Sequence, residues 1–543
     1  MNTQHIKMTL WVILLFSTTQ LLAQSKLSID NVYSVTLRNS GSIIENEEIK
    51  GYYFFYQSDK IDKRTNEYTL QVLDANLNKL KDIKFQDSKK IALMESSYNG
   101  SSLVFMFFDE DQNMIDYRLY DMEGKKTYSY SKILDKRSEA YFKTVPRLGN
   151  DEEAENQSLY DIPNKGFLSI IPLREGKKYT YEVNFYSSDK RKAWNFNPLE
   201  DGKFTQAQYL GANDSIAIVE VLSKLKLTSK EMESTLVGIN LMNGRKVFEI
   251  QTQDKGRKMY PMNISTVAGK SEYIVMGPYF ESEDRVLQDK SEGLGVWAMN
   301  NAGKIISSKY ISWANDVSKY IKTDFKGRLA DIGYVYFHNL FQTEDGKFFA
   351  VGEGYKKTAS ALGIATTVLS AMAGSYGGGF STAKMKVTDM VLLELSDKFM
   401  LENATIYDKY NNNVELPSGY EFMNPHTLAL LLKTNGSFDY SFTQMGKNKG
   451  SFVSGYTDFE KGKNYRGLTF NSISYHDGQL TTDKINLKTS ASKLHLLPAK
   501  PGSVLLMEYY KKDKRLELRM EKLKLEPHPA LSNKLERENA THK

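Results

Sequence analysis

Short apolar runs recur along the whole chain, at residues 52–56, 103–108, 167–171, 216–221, 273–276, 348–351, 451–453 and 504–507. They are rich in β-branched and aromatic side chains and too short for helices, so they predict buried strands. Nearly every run follows a turn signal such as Lys50-Gly51, Asn99-Gly100, Asp345-Gly346 or Pro501-Gly502. Gly and Asn tolerate the positive φ that tight hairpins need. Each run leads into an alternating segment, then often a second turn such as Asn243-Gly244 or Asp477-Gly478, then a polar strand such as 125–131 or 304–311. Another strand-like piece precedes each run, for example 91–94, 206–210, 334–341 and 428–432.

The pattern reads as a unit of four antiparallel strands, A to D, starting near residues 30, 88, 156, 204, 258, 332, 427 and 490. Four-stranded repeats of this length predict an all-β fold, a single β-propeller of seven or eight blades. The eighth unit reaches Pro527 without a fourth strand, and the segment 28–37 is expected to supply it and close the ring. The competing arrangement is two packed domains, either β-sandwiches or smaller propellers.

In a propeller the A–B and C–D turns share one face, and the B–C and D–A connections share the other. The long segments fall on the second kind: 132–155, 224–234, 281–292, 313–332 and 355–387. Insertions confined to one face mark it as the working face. Within 355–387, residues 358–373 are small and uncharged and predict an apolar helix, followed by the glycines Gly377, Gly378 and Gly379. Its bulky side chains Leu362, Val368, Leu369 and Met372 are candidates for burial, for partner docking or for peripheral membrane contact through 358–379, with a membrane span as the remaining alternative, which Ser, Thr and Gly dilute. A second helix is expected over 313–328, with Val317, Tyr320 and Ile321 at helical spacing. The acidic run 151–153 reads as solvated loop.

Composition narrows the chemistry. The chain has 543 residues, no cysteine and seven histidines, with 34 tyrosines and 27 phenylalanines. Disulfides, thiolate metal sites and cysteine nucleophiles are excluded. A net charge of +6 over this length is too dilute to imply nucleic acid. Lys7, the apolar stretch 10–22 and Ala23 form a secretory signal, giving 1–23 as signal peptide, 24–527 as propeller and 528–543 as polar tail. A periplasmic or secreted location follows, without a lipoprotein cysteine.

Catalytic motifs fail on context. Ser381-Thr382-Ala383-Lys384 matches S-x-x-K, but it follows glycines and enters a strand, where the mechanism needs a helix N-terminus. Asp109, Asp111 and Asn113 alternate like a calcium loop, but Met114 stands where the turn glycine belongs. The histidines are scattered without metal spacing, and His338 reads as core. No cofactor or metal is implied. Three B strands run into glycine and then tyrosine: Gly277-Pro278-Tyr279, Gly354-Tyr355 and Gly455-Tyr456. Repeat architecture explains this; the functional reading presents Tyr279, Tyr355, Tyr376 and Tyr456 on the loop face for stacking, with Glu353 as the acid beside them.

The segments Ser28-Ile29-Asp30-Asn31-Val32-Tyr33-Ser34, Asp59-Lys60-Ile61-Asp62-Lys63, Tyr181-Glu182-Val183 and Val351-Gly352-Glu353-Gly354-Tyr355-Lys356 resemble a family of exported, functionally uncharacterised Bacteroidota proteins. The resemblance implies an envelope or secreted location and carries no catalytic residues. The expected function is a protein- or glycan-binding scaffold acting through the loop face, more in keeping with binding than with catalysis. The alternative is a hydrolase, glycan-acting or other, with carboxylates in the central funnel.

Overall fold

The computed structural model describes residues 26–144, 157–175, 178–189, 192–198, 203–226, 229–266, 272–324, 328–362 and 380–523. Its strands form eight four-stranded antiparallel blades. The apolar runs are continuous because both faces of each B strand are covered. In blade 2, Leu103, Phe105 and Phe107 pack on Tyr53 and Phe55 of blade 1, while Val104, Met106 and Phe108 pack toward Phe167 and Ile171 of blade 3. Burying each such side chain contributes roughly 1.5–3 kcal/mol. D strands lie at the rim and alternate exposed with half-buried positions, as in Lys126–Ile133.

One apolar cluster fills each junction between neighbouring blades, from blade 1 against blade 2 round to blade 8 against blade 1. Two separate domains would leave two of these junctions open, so the fold is one eight-bladed β-propeller. The chain ends close it, though through 26–29 rather than the expected 28–37, since Ser34–Val35 pairs with Tyr56 and Gln57 of blade 1. Lys26–Ile29 pairs antiparallel with Arg515–Lys522, Leu27 opposite Leu518 and Ile29 opposite Leu516. The Val32 N–H then donates to the Lys514 carbonyl at 2.8 Å.

No A–B or C–D connection between these strands exceeds five residues, whereas all the long connections are B–C or D–A. The expected segregation of insertions to one face is therefore present. Four local expectations are corrected. Inner strand A of blade 1 is Gly41–Glu45, so that unit begins later than residue 30. The strand expected at 428–432 is helix, and strand A of blade 7 is Tyr440–Met445. The helix expected over 313–328 shrinks to one 3-10 turn, Val317–Lys319, because Trp313, Val317, Ile321 and Leu329 are each drawn into the cluster between blades 5 and 6. Thr358 and Ala359 are not helical. They pair with Lys384 and Ala383 and extend the B–C hairpin of blade 6, and helical backbone begins only at Ala361.

Besides the helical backbone that begins at Ala361, two helices are seen among the described residues of the loop face. Helix α1, Lys136–Thr144, lies in the connection expected as loop and inserts Phe142 between blades 2 and 3. The acidic run 151–153 and the signal segment 1–23 lie outside the described residues. Helix α2, Pro425–Thr434, belongs to the connection 408–439 between blades 6 and 7. Asn424 caps it by accepting the His426 N–H at 2.8 Å, and Pro425 occupies the first turn, where a missing N–H costs nothing.

Candidate functional site

Blade 6 is the most elaborated unit. Its B strand, Phe348–Ala359, and C strand, Phe380–Leu395, project past the ring as a long hairpin. The 412–417 segment adds a further strand to that hairpin. Helix α2 and the 3-10 turn Tyr420–Phe422 then cover it before the chain enters blade 7.

Glu353 anchors this superstructure from below. Its side chain is fully buried, and its carboxylate accepts the N–H groups of Asp439 and Tyr440 at 3.1–3.2 Å, at the start of blade 7. Lys409 Nζ lies 2.9 Å from Glu353 Oε1 and also pairs with Asp439. Asn412 Nδ2 donates to Asp439 Oδ1 at 3.1 Å. His338 Nε2 stands 3.4 Å from Glu353, with its ring stacked on Tyr440 at 4.6 Å. Burial alone would lower the Lys409 ammonium, but Glu353 and Asp439 outweigh it and hold it above the ordinary lysine value. Burial, with Glu353 adding, raises the Asp439 carboxyl against the pull of Lys409. Glu353 is therefore not displayed on the loop face; it ties blade 6, the 408–439 connection and blade 7 together. His338 is core, as expected.

The tyrosines expected on the loop face are likewise packed: Tyr279, Tyr355 and Tyr456 are all buried. The glycine before each explains why. A Cβ at Gly277 would meet the Tyr260 carbonyl at 1.8 Å, and at Gly354 it would meet Ile332 Cγ2 at 2.1 Å. Glycine admits a close neighbour and the following aromatic fills the wedge, so the motif is a packing device. Tyr355 bonds His426 Nδ1 of helix α2 at 2.8 Å, and burial lowers His426 to about 4. Leu430 of α2 packs on Tyr260, Phe280, Val286 and Leu287 of blade 5, a cluster that Leu222 and Met232 of blade 4 also touch. The cavity beneath α2 is about 20 Å³, room for a single water and no ligand.

Above the anchor, three apolar or aromatic side chains among the described residues face solvent: Phe422 (88% exposed), Leu362 (48%) and Tyr410 (43%). Leu362 is thus exposed where a partner contact was expected. Val368, Leu369, Met372 and Tyr376 lie outside the described residues. The candidate motifs resolve as structure. Ser381 and Lys384 lie along the C strand of blade 6, and Asp109 accepts N–H groups of its own turn. Among the described residues no cluster of His, Asp and Glu has the geometry of a metal site. Nor is any described helix long and apolar enough to cross a membrane.

Inner carboxylates are mostly occupied as well. Glu95 accepts the N–H and hydroxyl of Ser158 and the N–H of Leu159, and burial pushes its carboxyl up to about 7. Glu220 accepts the Ser234 hydroxyl at 2.9 Å and is pushed up to about 8. Asp161 is exposed at its surface, yet desolvation by the surrounding protein raises its carboxyl. Ser97 Oγ approaches it at 3.4 Å. A separate polar recess of about 310 Å³ on blade 4 contains the Lys203–Glu233 ion pair at 2.8 Å.

A family model matches residues 1–524 of the chain. The chain belongs to DUF6770, a family of unknown function. The membership meets the expectation of a family without an assigned activity. No curated protein matches this DUF6770 chain. Among solved structures, it is similar to a eukaryotic initiation factor at 9% identity, covering 86% of this chain and 97% of that one, with TM-score 0.35. It is similar to the WD40 domain of SCAP from fission yeast at 8% identity, covering 91% and 94%, with TM-score 0.36. It is also similar to a post-proline cleaving enzyme from Rickettsia typhi at 9% identity, covering 82% and 58%, with TM-score 0.32. At such low TM-scores these likenesses carry no argument, and the eight blades rest on strand pairing and on the apolar clusters between them.

Proposed function

We propose that this chain is an exported binding module of a bacterial envelope, periplasmic or secreted, whose working surface is the loop face over blades 6 and 7. One observation carries the reading: the hairpin of blade 6 and the 408–439 connection rise together on that face, held from below by the buried Glu353–Lys409–Asp439 cluster, with Phe422 and Tyr410 left in solvent. Rigid support beneath exposed aromatic side chains is the arrangement recognition surfaces use. A protein or glycan is the partner this surface suits. Glycan arrays and envelope-protein cross-linking test it, comparing wild type with Phe422→Ala/Tyr410→Ala. Capture by wild type, lost in the variant with the ligand released chemically unchanged, is the expected result. Equal capture by both proteins defeats the reading.

The alternative, a hydrolytic centre in the funnel, draws on Asp161 and Glu95, two inner-strand carboxyls raised by burial. Its signature is turnover of a glycan or other hydrolysable ligand that Glu95→Gln or Asp161→Asn abolishes while binding survives.

A further inference from the structure

The connection that carries Lys409 into the core turns outward at the very next residue. Tyr410 is fixed from behind: its N–H donates to Asp458 Oδ1 at 2.8 Å and its ring lies 5.9 Å from that of Phe459. Lys461 Nζ sits 4.3 Å from the Tyr410 ring centroid and donates to its hydroxyl. Lys461 and Arg466 flank the B–C turn of blade 7, which also carries the exposed Lys463. Lys386, half-buried on the C strand of blade 6, pairs across the ladder with Asn413, three residues beyond Tyr410. Lys461 first, then Lys386 and Arg466, lower the Tyr410 phenol below its ordinary value.

The nearby carboxylates have hydrogen-bond or ion-pair partners of their own. Asp458 accepts the N–H groups of Tyr410 and Phe459, Glu460 pairs with Lys484 at 2.8 Å, and Asp389 accepts the Lys409 N–H at 3.0 Å. Among the described residues neither Lys386 nor Arg466 forms an ion pair. Lys461 lies on the exposed ring, Arg466 stands opposite it at the end of the blade 7 ladder and Lys386 lies on the neighbouring hairpin, so an anion placed among them gains from all three charges. Lysine and arginine together supply point-charge and forked donors, the combination that tetrahedral oxyanions accept. The aromatic face beside them suits the carrier of that group, a sugar ring or an acyl-glycerol backbone.

We propose that Lys386, Tyr410, Lys461 and Arg466 form an oxyanion site on the loop face, which takes a ligand bearing a phosphoryl or sulfuryl group. The proposal rests on the loop face being the working surface and names its ligand chemistry.

Calorimetric titration with glucose 6-phosphate, glucose and inorganic phosphate tests it, alongside co-sedimentation with phosphatidylglycerol and phosphatidylcholine vesicles. Glucose 6-phosphate or phosphatidylglycerol is expected to bind, glucose and phosphatidylcholine not, and binding should weaken as salt is raised. Binding to the sugar phosphate alone assigns a soluble source, and binding to the anionic vesicle alone assigns a lipid headgroup. Lys461→Ala and Arg466→Ala should each cost about tenfold in affinity, with circular dichroism unchanged because both side chains are exposed. A second readout follows Tyr410 itself. In the difference spectrum between wild type and Tyr410→Phe, bound ligand should move phenol ionisation to higher pH. The proposal is overturned if no anionic probe binds, if glucose matches its phosphate, or if the Lys461→Ala/Arg466→Ala double variant binds as wild type. Any of these, with capture through the Phe422 side intact, leaves the broader loop-face reading standing.

Discussion

Lys409 bears a charge that burial penalises by several kcal/mol, and it stays buried because Glu353 and Asp439 share it. Removing one member of such a cluster is costly because the others keep their charge. Lys409→Met should therefore destabilise the protein by about 3–5 kcal/mol at neutral pH. The loss should shrink in acid, where Asp439, already raised, takes up a proton; urea denaturation at several pH values measures both. Glu95 offers a cleaner titration. Its carboxyl rises from an ordinary 4.5 to about 7 in the fold, so the folded state favours the protonated form. Its contribution to stability is full below 4.5 and falls as the pH rises toward 7. Glu95→Gln removes that dependence, and wild type should lose up to about 3 kcal/mol relative to the variant between those values. A flat difference between their stability–pH curves would contradict it. None of these partnerships was legible in the sequence: Glu353 and Asp439 stand 86 residues apart, and only the ring brings them together.

At the scale of elements, legibility followed burial. B strands read clearly because both faces are covered, which leaves an uninterrupted apolar run. Helix α2 was misread because its apolar residues, Leu428 to Leu432, make a run as short as a strand. The contrary signal, Asn424-Pro425, was present and is the cap the structure uses. The Gly-Tyr motif was legible as a repeat, but its burial was not, since the glycine's role depends on which neighbour crosses it. Docking of α2 depends on the bond between Tyr355 and His426. Tyr355→Phe leaves His426 Nδ1 buried without that partner and should cost about 1–2 kcal/mol. Hydrogen exchange in α2 should quicken while that of the blade 2 strands stays unchanged. Phe422→Ala, which removes an exposed ring, should leave both stability and exchange as they are.

At the scale of the whole molecule, a ring of eight blades has no first or last blade until the chain ends meet. Closure was legible because the eighth unit lacked a strand and the N-terminal segment could supply one. Its energetic weight follows from what the strand covers. Lys26–Ile29 pairs with the otherwise open edge of Arg515–Lys522, and Ile29 buries against Leu516, Leu518 and the blade 1 aromatics Tyr52, Phe54 and Tyr56. With no cysteine in the chain, no covalent staple can share the task. Removing residues 26–29 should cost about 4 kcal/mol, the scale of losing one or two buried aliphatic side chains, and should expose a strand edge that invites pairing with other molecules. The expected result is a lower melting temperature with concentration-dependent association. A synthetic peptide spanning 24–33 should reverse both by re-pairing with blade 8. If the truncated protein melts as wild type and stays monomeric, the strand is ornament and the ring is held by the junction between blades 8 and 1 alone. If the peptide restores stability, closure is by strand pairing, and the same edge becomes a handle for opening the ring without altering the loop face.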